Sequence, residues 1–88
     1  MDYVLARLSG VDYATVKTML QDHAPVHAEQ GMFLQQIWQN ADISDEVQFL
    51  FRVDDLARAR AFIEQSHTAA RQQNPDFNLP QITFLSTP

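Results

Sequence analysis

Apolar residues recur along this chain with two different periods. In Val47 to Val53 (VQFLFRV), Val47, Phe49, Phe51 and Val53 alternate with Gln48, Leu50 and Arg52, the period of two that turns one side of a strand toward a core. Tyr3 to Leu8, rich in Val, Leu and Tyr and closed by Ser9-Gly10, predicts another strand ending in a turn. Met32 to Gln39 (MFLQQIWQ) predicts a third, although there Phe33 and Ile37 compete with Leu34 and Trp38 for the core side. Gln81 to Leu85 predicts a fourth, with Ile82 and Phe84 on one side. Elsewhere the spacing is helical. Val16, Leu20 and Ala24 form a stripe with Met19 and His23 beside it, behind an N-cap at Asp12 and with Val11 placed to pack on Val16. Pro25 interrupts that stripe, yet Val26 to Gln30 still reads as helical until Gly31, so a kinked or two-part helix is expected. A second helix starts at a cap on Asp54 or Asp55 and turns Leu56, Ala59, Phe62, Ile63, Ser66 and Ala70 inward. Arg58, Glu64, Gln65 and Arg71 face outward, and Asn74-Pro75 ends the helix.

The order is βαββαβ, an α+β chain whose expected architecture is ferredoxin-like: an antiparallel four-stranded sheet with two helices on one face. Residues 1–88 form one domain, with the third strand between the first two and the fourth outside the first. The short polar stretch Asn40 to Glu46 makes the second and third strands a hairpin. Val4, Ala6 and Leu8, with the apolar positions of the third and fourth strands, belong under the helices. The opposite face carries Tyr3, Leu5, Arg7, Gln48, Leu50, Arg52, Thr83 and Leu85, half apolar and half polar. Leaving its large apolar side chains in water forgoes roughly 1.5–3 kcal/mol each, against a total stability of about 5–10 kcal/mol. A second copy laid sheet against sheet would cover them, so a homodimer is expected.

Composition supports folding and narrows the partners. Hydrophobic residues make up 45% of the chain and charged ones 19%, a globular balance. At 88 residues a domain hides only about 60% of its unfolded surface, and there is no cysteine to staple it. The net charge of −5, with six scattered Lys and Arg, argues against nucleic acid as a partner. No apolar run is long enough to span a bilayer, so no membrane partner is expected; the start Met1-Asp2-Tyr3 lacks the features of a secretory signal, which predicts a cytoplasmic protein.

Two segments, His23-Ala24-Pro25-Val26-His27-Ala28-Glu29-Gln30-Gly31 and Asn40-Ala41-Asp42-Ile43-Ser44-Asp45-Glu46-Val47 through Phe51 and on from Asp54 to Phe62, resemble the dimeric α+β barrel superfamily. With Ile82-Thr83-Phe84-Leu85 the resemblance covers nearly the whole chain. It implies two ferredoxin-like subunits closing a barrel, each with a ligand cavity beside its sheet. The superfamily includes antibiotic-biosynthesis monooxygenases, haem-degrading oxygenases, muconolactone isomerases and stress-induced barrel proteins, so the likeness specifies fold better than chemistry. Haem-degrading members use an asparagine on the first strand, a tryptophan at the end of the third and a histidine on the second helix. Here Leu5 to Arg7 and Val53 occupy the first two regions, leaving only His67 to match, and no cofactor is expected.

Several side chains are chemically able. His23, beside the apolar stripe, is the catalytic candidate, since an imidazole with a pKa near 6.5 serves as acid or base; a histidine held by one backbone hydrogen bond is the plainer alternative. His27 lies four residues on, a spacing that suits metals, but Pro25 intervenes and no third ligand is assured, so no metal site is expected. Arg7 and Arg52 project from the uncovered face at opposite ends, Arg7 near Gln48 and Arg52 near Tyr3, suited either to an anionic ligand or to a carboxylate of the second subunit. Trp38 could wall an aromatic pocket or fill core or interface. Tyr3, Arg7, His27, Trp38 and Arg52 are therefore the ligand-binding candidates. Asn40, Asp42, Ser44 and Glu46 alternate like a calcium loop but lack its mid-loop glycine, and a solvated turn is the plainer reading. Nothing resembles a phosphate loop or a GxSxG elbow. The reading that results is a small homodimeric barrel acting on an apolar or aromatic ligand as a cofactor-independent monooxygenase or isomerase; the alternative is a non-catalytic ligand-binding or stress-related module.

Overall fold

The computed structural model describes residues 1–88. In it β1 (Asp2–Ser9) is followed by α1 (Tyr13–Asp22), α2 (Ala24–Glu29), β2 (Met32–Gln39), β3 (Glu46–Val53), α3 (Leu56–Gln73) and β4 (Gln81–Ser86). The caps act as expected. Asp12 Oδ1 accepts from the Thr15 N–H at 3.0 Å to start α1, and of the two candidates at α3 it is Asp55 that accepts, from the Arg58 N–H at 3.1 Å. The interrupted helix resolves into two, giving three helices in place of two. His23, at φ −93° and ψ 0°, ends α1 and begins α2, and Pro25 falls in the first turn of α2, where its missing N–H leaves no bond unmade.

All four strands pair antiparallel in the order β2-β3-β1-β4. The register places Val4 opposite Phe51 and Phe84, and Ala6 opposite Phe49 and Ile82, so the predicted helix-side face forms as one apolar sheet surface. Twelve buried apolar residues make the core, among them Val16 and Leu20 of α1, Met32, and Ala59 and Ile63 of α3. No helix is long and apolar enough to cross a membrane.

The competition within β2 has a physical cause. Leu34 pairs with Phe51 and Gln36 with Leu50, leaving Gln35 as an extra residue in a β-bulge. Across it Leu34 and Ile37 both lie opposite core-facing residues of β3, although three positions apart. Phe33 and Trp38 consequently share the opposite face, beside Arg52 and Gln48.

Gly31 makes the turn from α2 into β2 with φ +70°, where a side chain is strained. A Cβ there would stand 3.4 Å from the Asp54 Cβ, while the Gly31 carbonyl accepts from the Asp54 N–H at 2.9 Å. Replacing Gly31 with Ala is expected to lower stability by about 1–2 kcal/mol, read as a lower urea midpoint with unchanged slope.

Candidate functional site

On the helix side of the sheet, α1 and α2 lie over β2 and β3, whereas α3 sets Arg60 over the Phe84 ring of β4, 4.0 Å from its centroid. Between them opens a cleft of about 340 Å³. Val4, Ala6, Phe49, Phe51 and Ile82 form its floor; Met19, Leu20, Phe62 and Ile63 are in its walls; Phe77, Leu79 and Pro80 come from the loop before β4. Of 21 lining residues 15 are hydrophobic, which suits an apolar ligand with few polar groups. Two side chains tie the surrounding elements. Arg58 of α3 donates from Nη2 to the Glu29 carbonyl at the end of α2, and Asn78 donates from Nδ2 to the Ser9 carbonyl at the end of β1, at 2.7 Å.

Three of the cleft's polar side chains are His23, His27 and His67. His27, half-buried on α2, meets the Phe51 ring edge-on at 5.1 Å between centroids and the Phe62 ring at 6.3 Å. Burial among these rings lowers its pKa below the ordinary 6.5, and the nearby His23, 6.2 Å away between ring centroids, lowers it further. His67 on α3 is also lowered, first by burial and then by the charge of Arg71. His27 is thus a neutral imidazole at pH 7, fit to accept a proton. Because the folded chain holds protons here less readily than the unfolded one, the contribution of His27 and His67 to stability is full above pH 6.5 and declines as pH falls through 6.5 toward the lowered values. Melting temperature is expected to drop between pH 7.5 and 5.5, and to drop less in a His27→Gln variant; equal drops would show that His27 titrates as it does in the unfolded chain.

The six residues singled out from sequence fall on two faces. His23 lines the mouth of the cleft, where it is exposed, and His27 lies deeper within it. Tyr3, Arg7, Trp38 and Arg52 belong to the opposite face of the sheet, and one subunit does not bring them to the histidines. Arg7 donates to Gln81 and lies 3.4 Å from the Glu46 carboxylate. Arg52 pairs with Asp54 at 2.6 Å and covers the Phe33 ring at 4.8 Å. Trp38 is 44% exposed on the edge strand. No group of three or more His, Asp or Glu side chains is arranged to hold a metal ion. In the β2–β3 loop the Asn40 side-chain oxygen accepts from the Asp42 and Ile43 N–H groups, at 2.9 and 3.2 Å, and so builds a turn.

Sequence reading left His67, Asn78 and the Phe77–Pro80 loop out of the site. For His67 a signal existed: it lies one helical turn beyond the inward-facing Ile63 and one before the position of Ala70 and Arg71, hence on the edge of the same stripe. The loop carries no periodicity from which its position could be read.

No protein-family profile matches the chain, and no curated protein does. Solved structures do resemble it. A Deinococcus radiodurans protein, provisionally assigned as an antibiotic biosynthesis monooxygenase, superposes with a TM-score of 0.62 at 15% identity, over 100% of this chain and 93% of that one. The Rv0793 protein of Mycobacterium tuberculosis gives 0.63 at 17% identity, over 99% and 94%. An uncharacterized NIPSNAP domain protein of Burkholderia xenovorans gives 0.52 at 20% identity, over 98% and 94%. These likenesses show the fold, a ferredoxin-like α+β arrangement.

Proposed function

We propose that this protein works as a homodimeric barrel whose subunits each bind a small, largely apolar or aromatic ligand between sheet and helices, and that His27 removes a proton from it. The observation that carries this reading is the half-buried imidazole of His27 set among aromatic rings on the wall of an apolar cleft, where burial lowers its pKa. A base so placed needs no cofactor to abstract a proton from an activated carbon or phenol. Returned at another carbon, the proton gives an isomerisation; if the carbanion instead passes one electron to dissolved dioxygen and the radical pair combines, a C–O bond forms, and the peroxide takes back the proton and loses water as its O–O bond breaks, leaving a carbonyl. The same first step serves both. His23, at the mouth, is placed to relay the proton to solvent. The likeness to a protein provisionally assigned as a monooxygenase agrees with this reading.

The homodimer rests on the other face of the sheet. Leu5 and Leu50 stand opposite each other at its centre, with Tyr3, Phe33, Trp38 and Leu85 around them. Its arginines are already paired within the subunit, Arg7 with Glu46 and Arg52 with Asp54, so two copies can approach without like charges meeting unpaired.

The test of the chemistry is hydrogen–deuterium exchange into a panel of phenols, hydroquinones and cyclic ketones in heavy water, followed by NMR. Exchange accelerated by the protein and reduced about 10²–10⁴-fold in His27→Ala is expected. Exchange no faster than in buffer across the panel, or equally fast in the variant, overturns the role of His27.

A further inference from the structure

All three histidines of the chain line one cleft, and none of its six Lys and Arg or eleven Asp and Glu residues does. The polar lining is completed by Ser66 and Asn78, both uncharged. The cleft therefore offers hydrogen bonds but, while the imidazoles are neutral, no cation to pair with an anion and no carboxylate to pair with a cation.

We infer that the cleft selects by charge: at neutral pH it takes uncharged ligands and turns away anionic ones of the same shape, and on acidification His27 and His67 convert it into an anion-accepting site. This rests on the reading of the cleft as the ligand site and adds the charge class of the ligand. An ionised group brought among Phe49, Phe51 and Phe62 loses hydration that the few neutral hydrogen-bonding groups there replace only in part, and it finds no opposite charge. Protonation of an imidazole removes that deficit, since the cation then stands at the ligand. Within the cleft lining no other charged side chain competes for it, and the carboxylate nearest His23 in sequence, Asp22, shares with it a separate pocket on the outer side of α1. His27 is faced by His23 at the α1–α2 junction, by Phe51 from β3 and by Phe62 from α3. His67 feels only Arg71 of its own helix among charged residues, and the loop residues beside the cleft, Asn78 and Leu79, are neutral. Anion binding and proton uptake are consequently linked: each proton taken up on binding makes the anion's affinity rise tenfold per pH unit lowered, until the imidazole is already charged in the empty cleft.

The test uses an isosteric pair, naphthalene-2-sulfonamide and naphthalene-2-sulfonate, titrated by calorimetry at pH 7.5 and 5.5 into the full chain. At pH 7.5 the sulfonamide is expected to bind and the sulfonate to bind on the order of 100-fold more weakly. At pH 5.5 the sulfonate should gain about tenfold or more, with proton uptake visible as a buffer-dependent heat. In a His23→Gln/His27→Gln/His67→Gln variant, folded by circular dichroism, the sulfonate's gain on acidification should vanish. Equal affinities of the two compounds at pH 7.5, or a gain that survives in the triple variant, overturn the charge selection and leave the cleft reading intact. Failure of both compounds to bind at either pH overturns the cleft reading, and the selection with it.

Discussion

Replacing Phe51 with Ala is expected to remove about 3–5 kcal/mol of stability and to release His27 in the same step. Phe51 is 4% exposed on β3, packs against Phe49 at 5.9 Å between ring centroids, and meets His27 edge-on. An 88-residue chain has only roughly 4–13 kcal/mol to lose, so the variant sits close to its unfolding threshold at 37 °C. With the ring gone, water reaches the imidazole and its pKa should move back toward 6.5. Urea unfolding measures the first effect and an NMR pH titration of the His27 ring the second. A large stability loss with no movement of that titration would mean that the other ring, Phe62, supplies the burial on which the proposed base depends.

The second large effect lies on the opposite side of the sheet. Leu50 projects there beside its partner Leu5, half-buried in the lone subunit. Leu50→Asp places a carboxylate at the centre of the proposed contact in each of two copies. Burying it unpaired costs several kcal/mol per ion, so the dimer dissociation constant should rise by at least about 10³-fold. The subunit itself should remain folded, because the substituted side chain faces away from the helix-side core. Sedimentation equilibrium at micromolar concentration reads the outcome, and a parent protein that is monomeric there would remove the dimer altogether.

How much of this was legible in the sequence depended on how regular each segment is. In β1, β3 and β4 the core-facing positions are apolar at every second residue without interruption, and that period places Arg7 near Gln48 and Arg52 near Tyr3, as the register confirms. The break between α1 and α2 was legible from Pro25, and both helix starts from their aspartates. In β2 the alternation is broken by the bulge, and no period-two reading places Leu34 and Ile37 on one side. The site was partly legible for a related reason. Sequence spacing locates a residue on an element, so His23 and His27 could be singled out, and Arg7 and Arg52 could be put on the sheet face that the helices leave bare. It does not say how far apart packed helices stand, and the cleft exists because α3 and the α1–α2 pair stand apart over the sheet.

The bulge in β2 has an evolutionary corollary. Gln35 has no partner on β3, and its side chain turns back to donate to the Phe33 carbonyl at 3.0 Å. Excising this one codon would leave Met32, Leu34 and Ile37 on the helix side and Phe33, Gln36 and Trp38 on the other, in unbroken alternation. Loss of any residue from the unbulged strands would instead transpose the inward and outward sets of everything between it and the next loop. The hairpin can therefore shorten at Gln35 without exchanging a single neighbour across the sheet, which makes this the position where a length difference among descendants of the chain can settle harmlessly.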